Sequence, residues 1–282
     1  MSTTLGARRP SAAAWPMPPF IRASLGLHAL AAGATLALPA AWPWALGAVA
    51  LDHALITAAG LWPRSRWLGP NVQRLDAAGT ARHEIALTID DGPDPAVTPA
   101  VLDLLDAHRV RATFFCIAQR ARAAPGLVRE IVARGHSVQN HSDVHRHNFS
   151  LLGPRGFEAE LHKAQETLAD LTGVRPTWFR APAGLRNPFL DPVLHRLDLR
   201  LVSWTRRGFD TRDGDTRRVA RRLTRGLAAG DILLVHDANA ATGRDGRPVV
   251  LGVLPPLLEA VAAAGLRCVT LPQALEAPEP AP

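Results

Sequence analysis

Between residues 84 and 270, seven short apolar segments alternate with helical patterns, which leaves few architectures open. The strand candidates are 84–89, 112–117, 136–140, 177–180, 199–204, 231–235 and 266–270. Helix candidates run 97–108, 125–134, 154–171, 216–229 and 254–264. Pro125 opens the second, and Gly173, Gly230 and Gly265 follow three of the ends. The alternation predicts an α/β fold with a parallel sheet, either a barrel or a doubly wound sheet. There is no internal repeat of sequence. In the first strand segment, EIALTIDDGPDP, the residues Ile85, Leu87 and Ile89 alternate as in a half-buried strand. The strand then runs into Asp90, Asp91 and the turn Gly92-Pro93. Both acids therefore lie at the C-terminal mouth of a strand, where α/β folds build their sites. A plain turn, with one Asp capping the helix that follows, is the alternative.

The first 70 residues have a different texture. Residues 23–41 and 44–62 are two apolar stretches of 19 residues, each long enough to cross a hydrocarbon core. Trp15, Trp42, Trp44, Trp62 and Trp67 flank them like an interfacial belt. Asp52 and His53 oppose insertion of the second stretch, since a central carboxylate costs about 2.5–3.5 kcal/mol on insertion scales. Two spans and a long first one do not fit a cleaved signal peptide. A membrane-embedded helical hairpin is expected, with a peripheral or soluble helix pair as the alternative. Arg8, Arg9 and Arg22 precede the first span, and Arg64, Arg66 and Arg74 follow the second, while the connection near Pro43 carries no charge. By the positive-inside rule the hairpin sits in the inner (cytoplasmic) membrane with the rest of the chain on the cytoplasmic side.

The net charge of +7 is almost entirely arginine, because Lys163 is the only lysine. The arginines are scattered along the chain, so no nucleic-acid partner is expected. Cys116 and Cys268 both fall in strand candidates and suit either redox compartment.

The third to sixth strand segments also end in chemistry. NHSDVHRH follows the third, with His141 and His145 four residues apart and His147 close by. FRAPAG after the fourth carries Arg180, SWTRRGFD after the fifth carries Asp210, and ILLVHD ends in His236. Singly, each has an ordinary structural account; together they deliver acids, histidines and an arginine to one face. Zinc-assisted hydrolysis suits such a set, because two imidazoles and one carboxylate leave zinc an open position. The metal lowers the pKa of water from about 16 to about 7 and polarises a carbonyl. A second carboxylate can then act as base and a histidine as acid.

The segment from Arg82 to Leu275 resembles the polysaccharide deacetylase family, also called the NodB homology domain or carbohydrate esterase family 4. TIDDGP is similar to T-F-D-D-G-P with Ile89 in place of Phe, HSDVH fits H-[ST]-x-x-H, RAPAG fits R-x-P-x-G, and LVH fits L-x-H. The resemblance implies a distorted parallel (β/α)7-type barrel and metal-dependent removal of an acetyl group from a sugar. It implies Asp90 as base and Asp91, His141 and His145 as ligands of Zn2+, with Co2+ or Ni2+ as substitutes. By the same resemblance His236 is the general acid, Arg180 pairs with Asp90 and keeps it ionised, and Asp210 orients His236. The backbone N–H of Ala183 would donate to the oxyanion, and His147 would not be a ligand.

Two departures bear on substrate. The third motif often reads P-P-Y-G and is APAG here, so the tyrosine wall of the groove is missing. The fourth usually places an acid and a second tryptophan where Arg207 and Thr211 stand. The expected substrate is thus an acetylated amino sugar of an oligosaccharide, polysaccharide or lipid-linked glycan, the departures favouring a short or lipid-linked one. Hydrolysis of a formyl or O-acetyl group is an alternative, and so is a non-catalytic sugar-binding or scaffold protein. The expected organisation is a tail at 1–19, the hairpin at 20–70, the deacetylase domain at 80–275 and a disordered tail at 276–282.

Overall fold

In the computed structural model, which describes residues 14–276, the chain begins with α1 (Pro19–Ala37) and α2 (Trp42–Leu61), joined by a single 3-10 turn. Of the tails expected at 1–19 and 276–282, residues 1–13 and 277–282 lie outside the described residues. There follow α3 (Ala77–Ala81), β1 (Glu84–Asp90), α4 (Thr98–Ala107), β2 (Thr113–Cys116), α5 (Ala118–Ala123), α6 (Pro125–Ala133) and β3 (Ser137–Asn140). Next come α7 (Pro154–Thr172), β4 (Trp178–Phe179), α8 (Leu190–Arg196), β5 (Arg200–Leu201), β6 (Arg206–Arg207) and α9 (Thr216–Thr224). The last elements are β7 (Ile232–His236), α10 (Val249–Ala263), β8 (Arg267–Val269) and α11 (Leu271–Leu275).

All the strand pairings are parallel, in the order β5-β4-β3-β2-β1-β7-β6, with β8 beside the start of β1. The strand expected over 199–204 contains β5 but ends before β6, and the two are the ends of one extended stretch. Arg200 and Leu201 pair with β4, whereas Arg206 and Arg207 pair with Leu233 and Leu234 of β7. The stretch leaves one neighbour for the other across Val202–Thr205, and Thr205 N already donates to Ile232 O. This change of partner closes the sheet into a distorted barrel.

Strand β1 is buried on both faces, not on one, because it lies between two layers. Ile85, Leu87 and Ile89 pack among Val101, Leu105, Val253 and Leu257 of the helical layer. Ala86 instead packs in the barrel with Phe115, Trp178, Val202 and Ile232. Period-2 geometry puts Thr88 and Asp90 on the same inner side as Ala86. The α9 helix is shorter than its sequence pattern, since Arg225 turns extended and Gly226 adopts φ +67°. Conversely, α10 starts early and runs through Pro255 and Pro256. Its buried face, including Val249, Val250, Val253 and Leu254, offsets the helix-interior proline cost of about 3 kcal/mol.

The hairpin helices are held together by a polar cluster. Ser24 Oγ donates to Asp52 Oδ2 at 2.6 Å, and His28 Nδ1 donates to Ser24 O at 2.8 Å. With that tautomer, His28 Nε2 accepts from His53 Nε2 at 3.1 Å. The two groups that opposed insertion therefore have partners on the facing helix, and Asp52 is buried. At its other end the hairpin docks on the barrel. Arg186 Nη2 donates to Ser65 O at 2.7 Å and Arg186 N to Gly60 O at 3.2 Å. Trp15, one of the flanking tryptophans, donates through Nε1 to Asp191 Oδ2 of α8 at 2.8 Å.

Candidate active site

Asp90 ends β1 facing into the barrel, and there it meets Arg180, the first residue after β4. Arg180 Nη1 lies 2.7 Å from Asp90 Oδ1 and 2.7 Å from Thr88 Oγ1. Its Nη2 donates to Ser203 O at 2.8 Å, and its guanidinium stacks 4.3 Å from the Phe115 ring centroid. Arg180 is only 1% exposed, so this buried cation has its donors engaged and its charge matched by Asp90. Asp91 would follow the strand to the opposite side, but it adopts a left-handed backbone with φ +77°. That turn brings both adjacent carboxylates to one mouth. Gly92 is required next, because a Cβ there would fall onto the carboxylate of Asp237.

His141 and His145 come from the loop after β3, which is not helical despite their spacing. Ser142 and His145 take positive φ values of 68° and 52°. Asn140 Oδ1 accepts from Ser142 N at 2.8 Å, and Ser142 Oγ accepts from His145 N at 3.0 Å. His141 Nδ1 donates to Arg180 O at 2.8 Å, which turns Nε2 toward the carboxylates. His141 Nε2 lies 3.2 Å and His145 Nε2 3.4 Å from Asp91 Oδ1. One donor atom each from Asp91, His141 and His145 lies within 4.8 Å of the others. Burial pushes the Asp91 carboxyl up, but the imidazoles of His141, His236 and His145 outweigh it and hold the group well below the usual range. Burial, aided by His141, depresses His145 to about 4, so its ring is neutral at pH 7. A deprotonated Asp91 carboxylate beside the neutral His145 ring is the kind of donor pair a divalent metal binds. His147 is exposed and outside this group.

His236 ends β7 directly opposite Asp90 in the β1–β7 register. Its Nδ1 lies 3.0 Å from Asp210 Oδ1, and its backbone N donates to Asp210 Oδ2 at 2.7 Å. Burial works against the charged imidazole, yet the Asp210 hydrogen bond and charge, with Asp90 and Asp91, raise its pKa above the ordinary value. Ala183 occupies a 3-10 turn with φ 55°. Next to it Gly184, at φ +74°, leaves no room for a Cβ against Pro63 and the Trp204 ring. The segment leaving the hairpin therefore forms part of the wall beside the site.

Several supporting residues carried no sequence signal. Asn239 Nδ2 donates to Asp91 Oδ2 at 2.9 Å from the loop after β7. Asp143, between the two histidines, is gripped by Arg122 at 2.6 Å and by Lys163 at 2.8 Å. The only lysine of the chain thus holds the histidine loop to α7. Their position inside or near motif segments was the only available hint, since partners distant in sequence give each its role.

The polysaccharide deacetylase family model matches residues 77–202. The chain is 33% identical over 207 residues to a chitooligosaccharide deacetylase of Sinorhizobium fredii, covering 70% of this chain and 94% of the relative. It is 35% identical over 161 residues to a peptidoglycan-N-acetylglucosamine deacetylase of Listeria monocytogenes, covering 56% of this chain. There it spans only a third (33%) of the relative's length. Among solved structures, a family 4 carbohydrate esterase of Streptomyces lividans in complex with acetate superposes with a TM-score of 0.61 at 31% identity. That match covers 71% of this chain and 98% of the other.

Proposed function

The chain belongs to the polysaccharide deacetylase family, and from that premise we propose a metal-dependent hydrolase that removes the N-acetyl group from an amino sugar. The observation that carries this is the convergence of Asp91, His141 and His145 beside two charged pairs, Asp90–Arg180 and Asp210–His236. The donor set fits a divalent ion, with Zn2+ favoured by two imidazoles and one carboxylate and Co2+ or Ni2+ as substitutes. Such an ion supplies Lewis acidity and a water ionisable near neutral pH. Asp90, paired with Arg180 at 2.7 Å, accepts the proton of the attacking water. Asp210 anchors Nδ1–H of His236, so that Nε2 delivers a proton to the leaving nitrogen as the C–N bond breaks. The backbone N–H of Ala183 donates to the developing oxyanion.

The S. fredii relative, matched over nearly its whole length, supports an oligosaccharide substrate, and the Listeria relative supports a peptidoglycan sugar. The hydrophobic hairpin adds a lipid-linked glycan to that class. We assign residues 20–70 to a membrane hairpin and 80–275 to the deacetylase domain. In support, the hairpin leaves large apolar side chains bare, with Leu36 84% and Trp44 83% exposed, and its Asp52 is internally satisfied. The arginines at both ends favour the inner membrane with the domain on its cytoplasmic side. Acetate release is the deciding assay, using metal-reconstituted and chelator-stripped protein with chitooligosaccharides, peptidoglycan fragments and lipid-linked N-acetylglucosamine. Acetate that appears only with metal is expected. Release confined to formyl or O-acetyl substrates would assign the alternative acyl chemistry, and no release from any of them would leave a non-catalytic protein.

A further inference from the structure

Arg207 takes no part in the chemistry above, yet it faces the same space. Strand β6 alternates, and its two arginines go opposite ways. Arg206 binds Asp231 and the carbonyls of Arg225 and Gly226. Arg207 lies between two aromatic rings, 5.3 Å from the Trp204 centroid and 5.2 Å from that of Phe209. Its Nε is buried without a hydrogen-bond partner, and among the described residues it forms no ion pair. Asp210, Asp90 and Asp91 are near enough for their charges to act on it, but none closes to a salt bridge. Arg207 in turn acts on the charge of Arg180.

A half-buried guanidinium with an empty donor is costly unless an acceptor arrives. The carboxylates of the site are already committed: Asp90 to Arg180, Asp210 to His236, and Asp91 to the two histidines and Asn239. No side chain of the site accepts from Arg207 Nε, so an anionic group entering with the substrate is the partner that this geometry suits. Two rings hold the guanidinium in place, which favours planar, bidentate recognition of an oxyanion. Phe209, 47% exposed, puts this seat at the rim rather than at the reacting atoms. Trp204 extends it to Pro63 and Gly184, the wall beside the site.

We infer that Arg207 binds an anionic substituent, a phosphate or a carboxylate, on the glycan close to the acylated nitrogen, so that the preferred substrate is an acidic amino sugar. This rests on the deacetylase reading above and narrows its substrate class. The test compares N-acetylglucosamine 1-phosphate, N-acetylmuramic acid and neutral methyl N-acetylglucosaminide as substrates of the metal-loaded, full-length protein and of Arg207→Gln and Arg207→Lys. The phosphate and carboxylate arms distinguish the two sources of the anion. At least one anionic sugar should have a kcat/KM about tenfold or more above the neutral one, carried by KM, as expected of one charge-assisted contact. Arg207→Gln should abolish that ratio and Arg207→Lys should retain part of it. Equal use of all three sugars by the unsubstituted protein would overturn the inference, and so would a uniform loss in Arg207→Gln with the ratio preserved. If none of the sugars is deacetylated, the deacetylase reading fails on its own. Calorimetric binding of N-acetylglucosamine 1-phosphate and of N-acetylmuramic acid then decides the inference: binding of either that is lost in Arg207→Gln upholds it, and binding of neither, or binding unchanged by the substitution, overturns it.

Discussion

Asp210 receives two hydrogen bonds from His236, one from the ring at 3.0 Å and one from the backbone N–H at 2.7 Å. A single carboxylate thereby sets both the position of the residue and the tautomer of its imidazole. It also raises the pKa of the ring against the opposing effect of burial. A general acid works only while protonated, so activity should persist as pH rises and fall as pH passes through this raised value. Asp210→Asn removes the charge, lowers the pKa and should shift the alkaline limb of the kcat–pH profile to lower pH. A limb that does not move in the variant would remove His236 from the role of acid.

Metal retention should follow the geometry around Asp91. His141→Ala and Asp91→Asn should lose bound divalent metal on dialysis, whereas His147→Ala, altered at an exposed position, should keep it. Elemental analysis of the purified variants reads this directly. Full metal in His141→Ala, or loss in His147→Ala, would require a different ligand set.

Asn239 acts on the metal group only through Asp91 Oδ2. Asn239→Ala should weaken metal affinity by about 10–100-fold, as loss of an outer hydrogen bond to a ligand does. Competition with a chromophoric chelator measures it, and an unchanged dissociation constant would make Asn239 a purely structural residue.

Asp90→Asn should keep its metal and lose about 10²–10⁴ in turnover, the usual contribution of a positioned base. His236→Ala should lose a similar factor on amides and much less on activated phenyl esters, because a phenolate leaves without a proton. Equal losses on both substrates would argue for a role in binding instead.

The hairpin makes a topological prediction. Green fluorescent protein fused to the C-terminus should fluoresce, and alkaline phosphatase at the same point should be inactive, as expected for two spans that return the chain to the cytoplasm. Asp52→Leu should leave this result unchanged, since Asp52 is already satisfied by Ser24. Strong phosphatase activity in the unsubstituted protein would mean that only one segment spans and that the domain lies outside.

The class of fold and the residues that gather at the candidate site were legible in the sequence because both are marked by local patterns. Alternation of residues 85–89 specifies a strand, and a strand end followed by Gly92-Pro93 specifies where Asp90 and Asp91 emerge. Motif order then marked Asp91, His141, His145, Arg180 and His236. Short elements escaped detection, among them α5, α8 and β6, because they are too brief to show a period. The strand expected over 199–204 stops short of β6, since nothing in its residues records that the chain exchanges β4 for β7 at Arg206–Arg207 and closes the barrel. Asp52 read as an obstacle because its partner Ser24 lies 28 residues away, on another helix. Asn239 and Lys163 were silent for the same reason, and Arg207 carried no sign that it would lie beside the site carboxylates without pairing with any of them. A side chain's type and its neighbours along the chain determine which chemistry it can perform. Which charge meets which, and which donor is left without an acceptor, depends on burial and on distances between segments far apart in sequence, and those were decided by the tertiary structure alone.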